Sequence, residues 1–156
     1  MIEIERKFLV DSTNFKNEAY TSYSIKQGFL NKDKNRTVRV RIKEDTGYIT
    51  VKGRSSENGL SRFEWEKEIS LKDAEQLLNL CEKTIIDKTR YEVKCNTHIY
   101  EIDEFYGANK GLIIAEIELN SETEAFETPD WLGKEVTCDP KYYNSQLSKN
   151  PYNNWK

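Results

Sequence analysis

No stretch of this 156-residue chain approaches the roughly 18–20 consecutive apolar residues that a membrane-spanning helix needs. Its first residues, Met-Ile-Glu-Ile-Glu-Arg-Lys, are charged where a signal peptide would turn apolar. We therefore expect a cytoplasmic protein with no membrane partner. Cysteine is scarce: Cys81, Cys95 and Cys138 are odd in number, widely spaced and without a Cys-x-x-Cys pair. That pattern speaks against a disulfide framework and a thiolate zinc site, and leaves buried free thiols as the expectation. With only three prolines and seven glycines there is no linker, low-complexity tract or internal repeat. Positive charge is not in excess either. The 24 Lys+Arg stand against 27 Asp+Glu, a net charge of −3, which argues against a generally basic nucleic-acid surface and a sequence-specific nucleic-acid partner. What remains, 37% hydrophobic and 12% aromatic residues, suffices for one domain over residues 1–156 with a real core.

The dominant pattern is period-two alternation, which places successive side chains on opposite faces of a strand. Residues 2–10 set Glu3, Glu5 and Lys7 against Ile2, Ile4, Phe8 and Val10, with Arg6 interrupting the apolar face. Residues 37–43 set Arg39, Arg41 and Lys43 against Val38, Val40 and Ile42, and residues 48–54 set Thr50, Lys52 and Arg54 against Ile49, Val51 and Gly53, with Thr46-Gly47 as the turn between. Residues 61–70 put Arg62, Glu64, Glu66 and Glu68 opposite Phe63, Trp65 and Ile69. Residues 87–94 and 98–106 follow, joined by a turn at Cys95-Asn96-Thr97, the second strand carrying Glu101 and Asp103 on one face. Residues 112–119 set Glu116 and Glu118 against Ala115, Ile117 and Leu119, and residues 23–30 are a weaker strand. Helical spacing is confined to Leu71, Ala74, Leu77, Leu78 and Cys81 after an N-cap at Ser70, to a short helix capped by Ser121 and Glu124, and to residues 140–148 beginning at Pro140. About eight mostly hairpin-linked strands with few helices make an α+β class dominated by antiparallel sheet.

Alternating charge is ordinarily the solvated face of a sheet. Here the charges form ladders of one sign, such as Glu3/Glu5, Arg39/Arg41/Lys43, Lys52/Arg54, Glu64/Glu66 and Glu116/Glu118, and like charges on one face repel unless something of opposite sign lies between them. A closed barrel with a charged lumen turns acidic ladders toward a cation and basic ones toward an anion. Carboxylates suit hard divalent ions and Lys/Arg suit phosphate, so a metal–phosphate ligand satisfies both kinds.

The ordered motifs Glu3-Ile4-Glu5-Arg6-Lys7-Phe8-Leu9, Gln27-Gly28-Phe29-Leu30, Val38-Arg39-Val40-Arg41, Thr50-Val51-Lys52-Gly53, Phe63-Glu64-Trp65-Glu66, Lys88-Thr89-Arg90-Tyr91, Glu101-Ile102-Asp103-Glu104-Phe105 and Ala115-Glu116-Ile117-Glu118-Leu119 resemble the CYTH domain, or triphosphate tunnel metalloenzyme, superfamily. The tail motifs Gly133-Lys134-Glu135-Val136-Thr137 and Tyr143-Asn144-Ser145-Gln146-Leu147 are similar to its short bacterial members. The resemblance implies an eight-stranded antiparallel barrel enclosing a tunnel for triphosphate and a divalent ion, Mg2+ or Mn2+. It implies Glu3, Glu5, Glu116 and Glu118, joined by Asp103, as metal-associated carboxylates. Lys7, Arg39, Arg41, Lys52, Arg54 and Arg90 match the phosphate-binding cations, and Glu64 and Glu66 would orient the basic groups or metal-bound waters. Lys88 matches a lysine implicated in catalysis, a placement that phosphate binding explains as well. Inorganic tripolyphosphate is the expected substrate, because so short a chain leaves little for a base-selective pocket. A thiamine or nucleoside triphosphatase, an adenylyl cyclase and a non-catalytic polyphosphate-binding module are the alternatives. A homodimer fits the family. His98 is expected as an exposed strand residue, Trp65, Trp131 and Trp155 as packing residues, and Glu92, Lys94 and Glu104 on the surface.

Overall fold

The computed structural model describes residues 2–155 except 32, 34 and 83, so the two outermost residues of the expected 1–156 domain lie outside it. Among the described residues the alternating segments form β1 (Ile2–Val10), β2 (Thr21–Phe29), β3 (Thr37–Lys43), β4 (Thr46–Lys52), β5 (Ser61–Ile69), β6 (Ile86–Cys95), β7 (His98–Phe105), β8 (Ile113–Glu118) and β9 (Leu132–Glu135). Three short helices are α1 (Phe15–Glu18), α2 (Leu71–Leu78) and α3 (Asn144–Leu147). The order β5-β4-β3-β2-β6-β7-β8-β1 closes on itself through β5–β1, giving the eight-stranded antiparallel barrel. One edge of β1 serves two partners, Ile2–Ile4 pairing with β5 and Phe8 and Val10 with β9, a strand that the charge pattern does not reveal. No described helix is long and apolar enough to cross a membrane.

Register sorts the faces. Lys7, Glu116 and Glu101 are cross-strand partners, as are Phe8, Ala115 and Ile102, so alternate rungs of β1, β8 and β7 are charged and apolar. The apolar rungs look outward, where Phe8, Ala115, Ile102, Ile117 and Tyr100 pack with Phe15 of α1 and with Trp131. Trp131 stands edge-on to Phe15 and Tyr100. On the charged face the lining turns apolar near one end, where Phe29, Ile86, Phe105 and Ile114 meet Leu147 of α3, backed by Tyr142, Tyr152 and Trp155. The C-terminal segment stoppers that end of the barrel.

Helix α2 forms where the spacing predicts it, with the Ser70 hydroxyl accepting the Asp73 N–H at 3.0 Å. Its buried Ala74 presses so closely on β4 that a Cβ at Gly47 would stand 2.6 Å from the Ala74 Cβ. Gly47 is therefore a strand residue required by close packing, and the turn lies earlier, at Glu44 and Asp45, with Glu44 in the left-handed region (φ 54°). The turn expected at residues 95–97 forms, with Asn96 at φ 57°. No helix follows Ser121. The segment lacks an apolar stripe and runs into Pro129, and the Glu124 carboxylate accepts from Asn120 N and meets His98. Residues 140–148 split into a 3-10 turn (Pro140–Tyr142) and α3, because Tyr143 is extended. Trp131 and Trp155 pack as expected, whereas Trp65 is 40% exposed on the outer face of β5. His98 is half-buried rather than exposed. The cysteines are free but not buried: Cys138 is exposed and the other two half-buried.

Candidate active site

The barrel encloses a cup of about 260 Å3. Its walls carry Glu3, Glu5 and Lys7 from β1, Arg39 and Arg41 from β3, Lys52 from β4, Glu64 and Glu66 from β5, Lys88 and Arg90 from β6, and Glu116 and Glu118 from β8. Thus 12 of the 14 expected site residues are brought into one cavity by strands as distant in sequence as β1 and β8. The same-sign ladders face one another across it. Lys7 Nζ lies 3.1 Å from Glu116, Lys52 Nζ 3.0 Å from Glu3 and 3.3 Å from Glu64, and Arg39 3.4 Å from Glu66.

Two expected residues do not line the cup. Arg54 is exposed, because β4 ends at Lys52 and residues 53–60 leave the sheet. Arg62 takes a place in the lining instead, donating its Nε to Gly53 O at 3.1 Å. Asp103 is buried with both oxygens occupied, in a bidentate pair with Arg90 (2.7 and 2.8 Å) and a contact with Lys88 Nζ at 2.8 Å. It anchors cations instead of standing free for an ion. Glu101 also lines the cup, 3.3 Å from Arg90, and its position two residues before Asp103 was the available signal. Thr37, Thr137, Tyr143 and Asn144 are neutral lining residues that no charge pattern marks, and Gln27 reaches Arg41 from behind the lining. Glu92, by contrast, accepts from Tyr20 and Tyr23 near the rim, Glu104 pairs with Lys16, and Lys94 is exposed.

Electrostatics divides the cup. Glu5 is pushed up to about 8 by burial and by the neighbouring charges of Glu116 and Glu3, and its carboxylate makes no hydrogen bond or ion pair with any described residue. Burial also raises Glu101 and Glu118, reinforced by nearby carboxylates. Glu116 goes the other way: burial alone would raise it, but Lys7, Arg90 and Lys88 hold it well below the usual range. On the basic side, burial and then Arg39 and Arg90 pull Arg41 down to about 9. Among the described residues no carboxylate pairs with Arg41, and the buried Arg39 Nε has no hydrogen-bond partner. Burial lowers Lys88 to about 7 against the opposing pull of Asp103, with Arg90 and Arg41 adding to the lowering. Donors without acceptors and carboxylates without cations are both left over, which is the signature of a site built for an anion and a cation together.

The carboxylate side fits a hard divalent ion by its chemistry. Glu3, Glu5, Glu116 and Glu118 offer only oxygen donors, and their mutual repulsion is what an ion would relieve. As the side chains stand, no three described His, Cys, Asp or Glu residues are gathered closely enough to hold one, since Glu3 is turned to Lys52 and Glu116 to Lys7.

The chain is a closed antiparallel barrel whose lumen opposes basic and acidic ladders. The chain belongs to the CYTH domain family, whose model matches residues 1–151. It is 49% identical to an inorganic triphosphatase of Acetivibrio thermocellus over 155 residues, 99% of this chain and 97% of that protein. It is 36% identical to one of Nitrosomonas europaea over 152 residues, 95% and 97% of the two chains. A crystal structure of an inorganic triphosphatase superposes with a TM-score of 0.67 at 33% identity, covering 94% of this chain and 97% of that one.

Proposed function

We propose that this protein is a divalent-metal-dependent hydrolase that cleaves inorganic tripolyphosphate to pyrophosphate and orthophosphate. The observation that carries the reading is the unsatisfied cation set at the centre of the cup, Arg41 without a carboxylate and Arg39 with a free buried Nε, facing a carboxylate set that repels itself. Full-length relatives that are inorganic triphosphatases support it. Arg39, Arg41 and Arg90 bind and orient the phosphate chain, and neutralise charge that spreads over the phosphoryl oxygens during in-line attack. Lys7 and Lys52, paired with Glu116 and Glu3, would be free to bind the anion once those carboxylates held Mg2+ or Mn2+. Glu3, Glu5, Glu116 and Glu118 would hold the ion, which when bound supplies charge neutralisation and an acidified water. Glu64 and Glu66 keep Lys52 and Arg39 extended into the lumen. Lys88, held by Asp103 and lining the cup, donates to the reacting phosphate as a further binding cation. Free thiols, one of them exposed, suit the reducing cytoplasm.

Phosphate release from tripolyphosphate, ATP, thiamine triphosphate and pyrophosphate, with Mg2+ or Mn2+ and with excess chelator, tests the reading. Tripolyphosphate should give the highest kcat/KM, and chelator should abolish turnover. Cyclic AMP as the main product from ATP, or undiminished hydrolysis in chelator, would overturn it.

A further inference from the structure

The stoppered end of the cup contains a chain of neutral amides between two cations. Arg41 Nε donates to Gln27 Oε1 at 2.9 Å, Gln27 Nε2 donates to Asn144 Oδ1 at 2.9 Å, and Lys88 Nζ donates to the same Asn144 oxygen at 3.0 Å. Its polarity is dictated from both ends. A guanidinium can only donate, so the Gln27 oxygen faces Arg41 and its NH2 faces Asn144. Asn144 must then present its oxygen, which also suits an N–H of Lys88. Gln27 is fully buried and Lys88 is 1% exposed, so neither finds a substitute in water.

Lys88 Nζ is tetrahedral. Two of its three positions beyond the carbon chain are spent on Asp103 Oδ2 at 2.8 Å and on Asn144 Oδ1. The third makes no hydrogen bond among the described residues; the nitrogen stands 5.4 Å from the centre of the Phe105 ring, and the residue lines the cup. Asp103 alone would leave the nitrogen free to swivel about its last bonds. The second acceptor comes from outside the barrel wall, on the first residue of α3. Because that acceptor is neutral, it fixes direction without cancelling the positive field that the anion needs.

We infer that Asn144 is a positioning residue for the reaction, and that through it the C-terminal segment aims the free position of Lys88 Nζ at the reacting phosphate. The inference rests on the hydrolase reading above. Gln27 is the strut that holds Asn144 in that orientation and carries the constraint on to Arg41.

Three measurements test it on the full chain: steady-state hydrolysis of magnesium tripolyphosphate, the thermal midpoint, and the Lys88 side-chain NMR signal. In Asn144→Ala, kcat should fall by about tenfold or more while KM stays within about twofold, the pattern for loss of alignment without loss of ground-state binding. The Lys88 signal should move or broaden. Asn144→Asp keeps the acceptor oxygen in place but adds a negative charge, so kcat should stay within about threefold of the parent while KM rises by about tenfold. A role confined to plugging the barrel predicts instead that both variants lower the thermal midpoint, with kcat per folded molecule and the Lys88 signal unchanged. That result overturns the inference, as does an equal fall in kcat for Ala and Asp. Should Asn144→Ala not fold, the kcat and KM of the isosteric Asp variant decide the matter by the same limits. If the parent protein hydrolyses no tripolyphosphate, the hydrolase reading fails by itself, and the Lys88 signal of the two variants still shows whether Asn144 holds that nitrogen.

Discussion

On one side of β8, Ala115 and Ile117 are closed over by Trp131, Tyr100 and Phe15, whereas on the other, Glu116 and Glu118 face the lumen one residue away along the same strand. Both regions are enclosed, and they do opposite things for the protein. The outer cluster removes aromatic surface from water and packs it edge to face, so it stabilises the fold. The lumen gathers charges out of bulk water, and desolvating them offsets much of what their ion pairs contribute. A barrel normally keeps its apolar core inside. This one turns most of its charged rungs inward and relies on α1, the 120–131 segment and α2 to cover the apolar rungs outside. Substitutions outside should therefore move stability, and substitutions inside should move activity.

The largest stability loss should come from Trp131→Ala. The ring is 1% exposed between Phe15 and Tyr100, with its Nε1 donating to Glu18, and truncation of so large a buried side chain costs about 3–5 kcal/mol. Urea unfolding reads it directly. Per folded molecule, kcat and KM should not change, because Trp131 touches nothing in the cup.

Arg41→Ala is the counterpart inside. Its guanidinium has no carboxylate partner among the described residues, so its loss strands no buried anion and removes a desolvated charge, against a cost of about 1–3 kcal/mol for leaving the buried Gln27 Oε1 without its donor, and stability should change far less than in Trp131→Ala. Tripolyphosphate hydrolysis should fall by about 10²–10³ in kcat/KM, the usual effect of deleting one preorganised donor to developing charge. A loss of stability comparable with that of Trp131→Ala would break the division between the two regions.

The lumen's cost shows in its pH dependence. In the folded protein Glu5 is pushed from 4.5 up to about 8, so the native state holds a proton that the unfolded chain has released between those values. Stability from this group is therefore fully present below about pH 4.5 and is lost as pH rises toward about 8. In chelator, Glu5→Gln should raise the Tm at pH 8.5 and leave it nearly unchanged at pH 4.5. Equal effects at both values would show that burial and the neighbouring carboxylates do not raise Glu5 as the geometry requires. No substitution in the Trp131 cluster should show this slope.

The two regions also differ in how far they can be read from sequence. Period-two charge on β1, β3, β5 and β8 marks lumen residues directly, because a strand alternates faces whatever surrounds it. The same rule puts Arg54 in the lumen, and it fails there because β4 stops two residues earlier, a fact set by the 53–60 excursion and not by local pattern. Asp103 keeps its place in the ladder, but its role depends on which cations reach it across β6, which only tertiary register reveals. Gln27 and Asn144 are silent because neutral amides carry no sign. Strand β9 and α1 are too short, at four residues each, to show a period, although they cap the outer cluster. Gly47 reads as a turn residue until the closeness of Ala74 is known.

The smallest expected effect lies at α2, a third region remote from both. Ser70 has extended backbone (φ −64°, ψ 150°), its hydroxyl accepts the Asp73 N–H, and its carbonyl accepts the Ala74 N–H at 3.0 Å. Ser70→Ala keeps the carbonyl contact and removes only the hydroxyl, leaving one N–H of the first turn to water. Loss of such a cap costs about 1 kcal/mol. The helix has only eight residues and is held to β3 and β4 chiefly by Ala74 over Gly47, so fraying its first turn should not disturb the sheet beneath it. Urea unfolding should register the shift while kcat and KM for tripolyphosphate stay at parent values. A fall in kcat would mean that the outer cover sets the positions of Arg39 and Arg41 on β3, and the separation of stability from activity would then hold for the Trp131 side of the barrel alone.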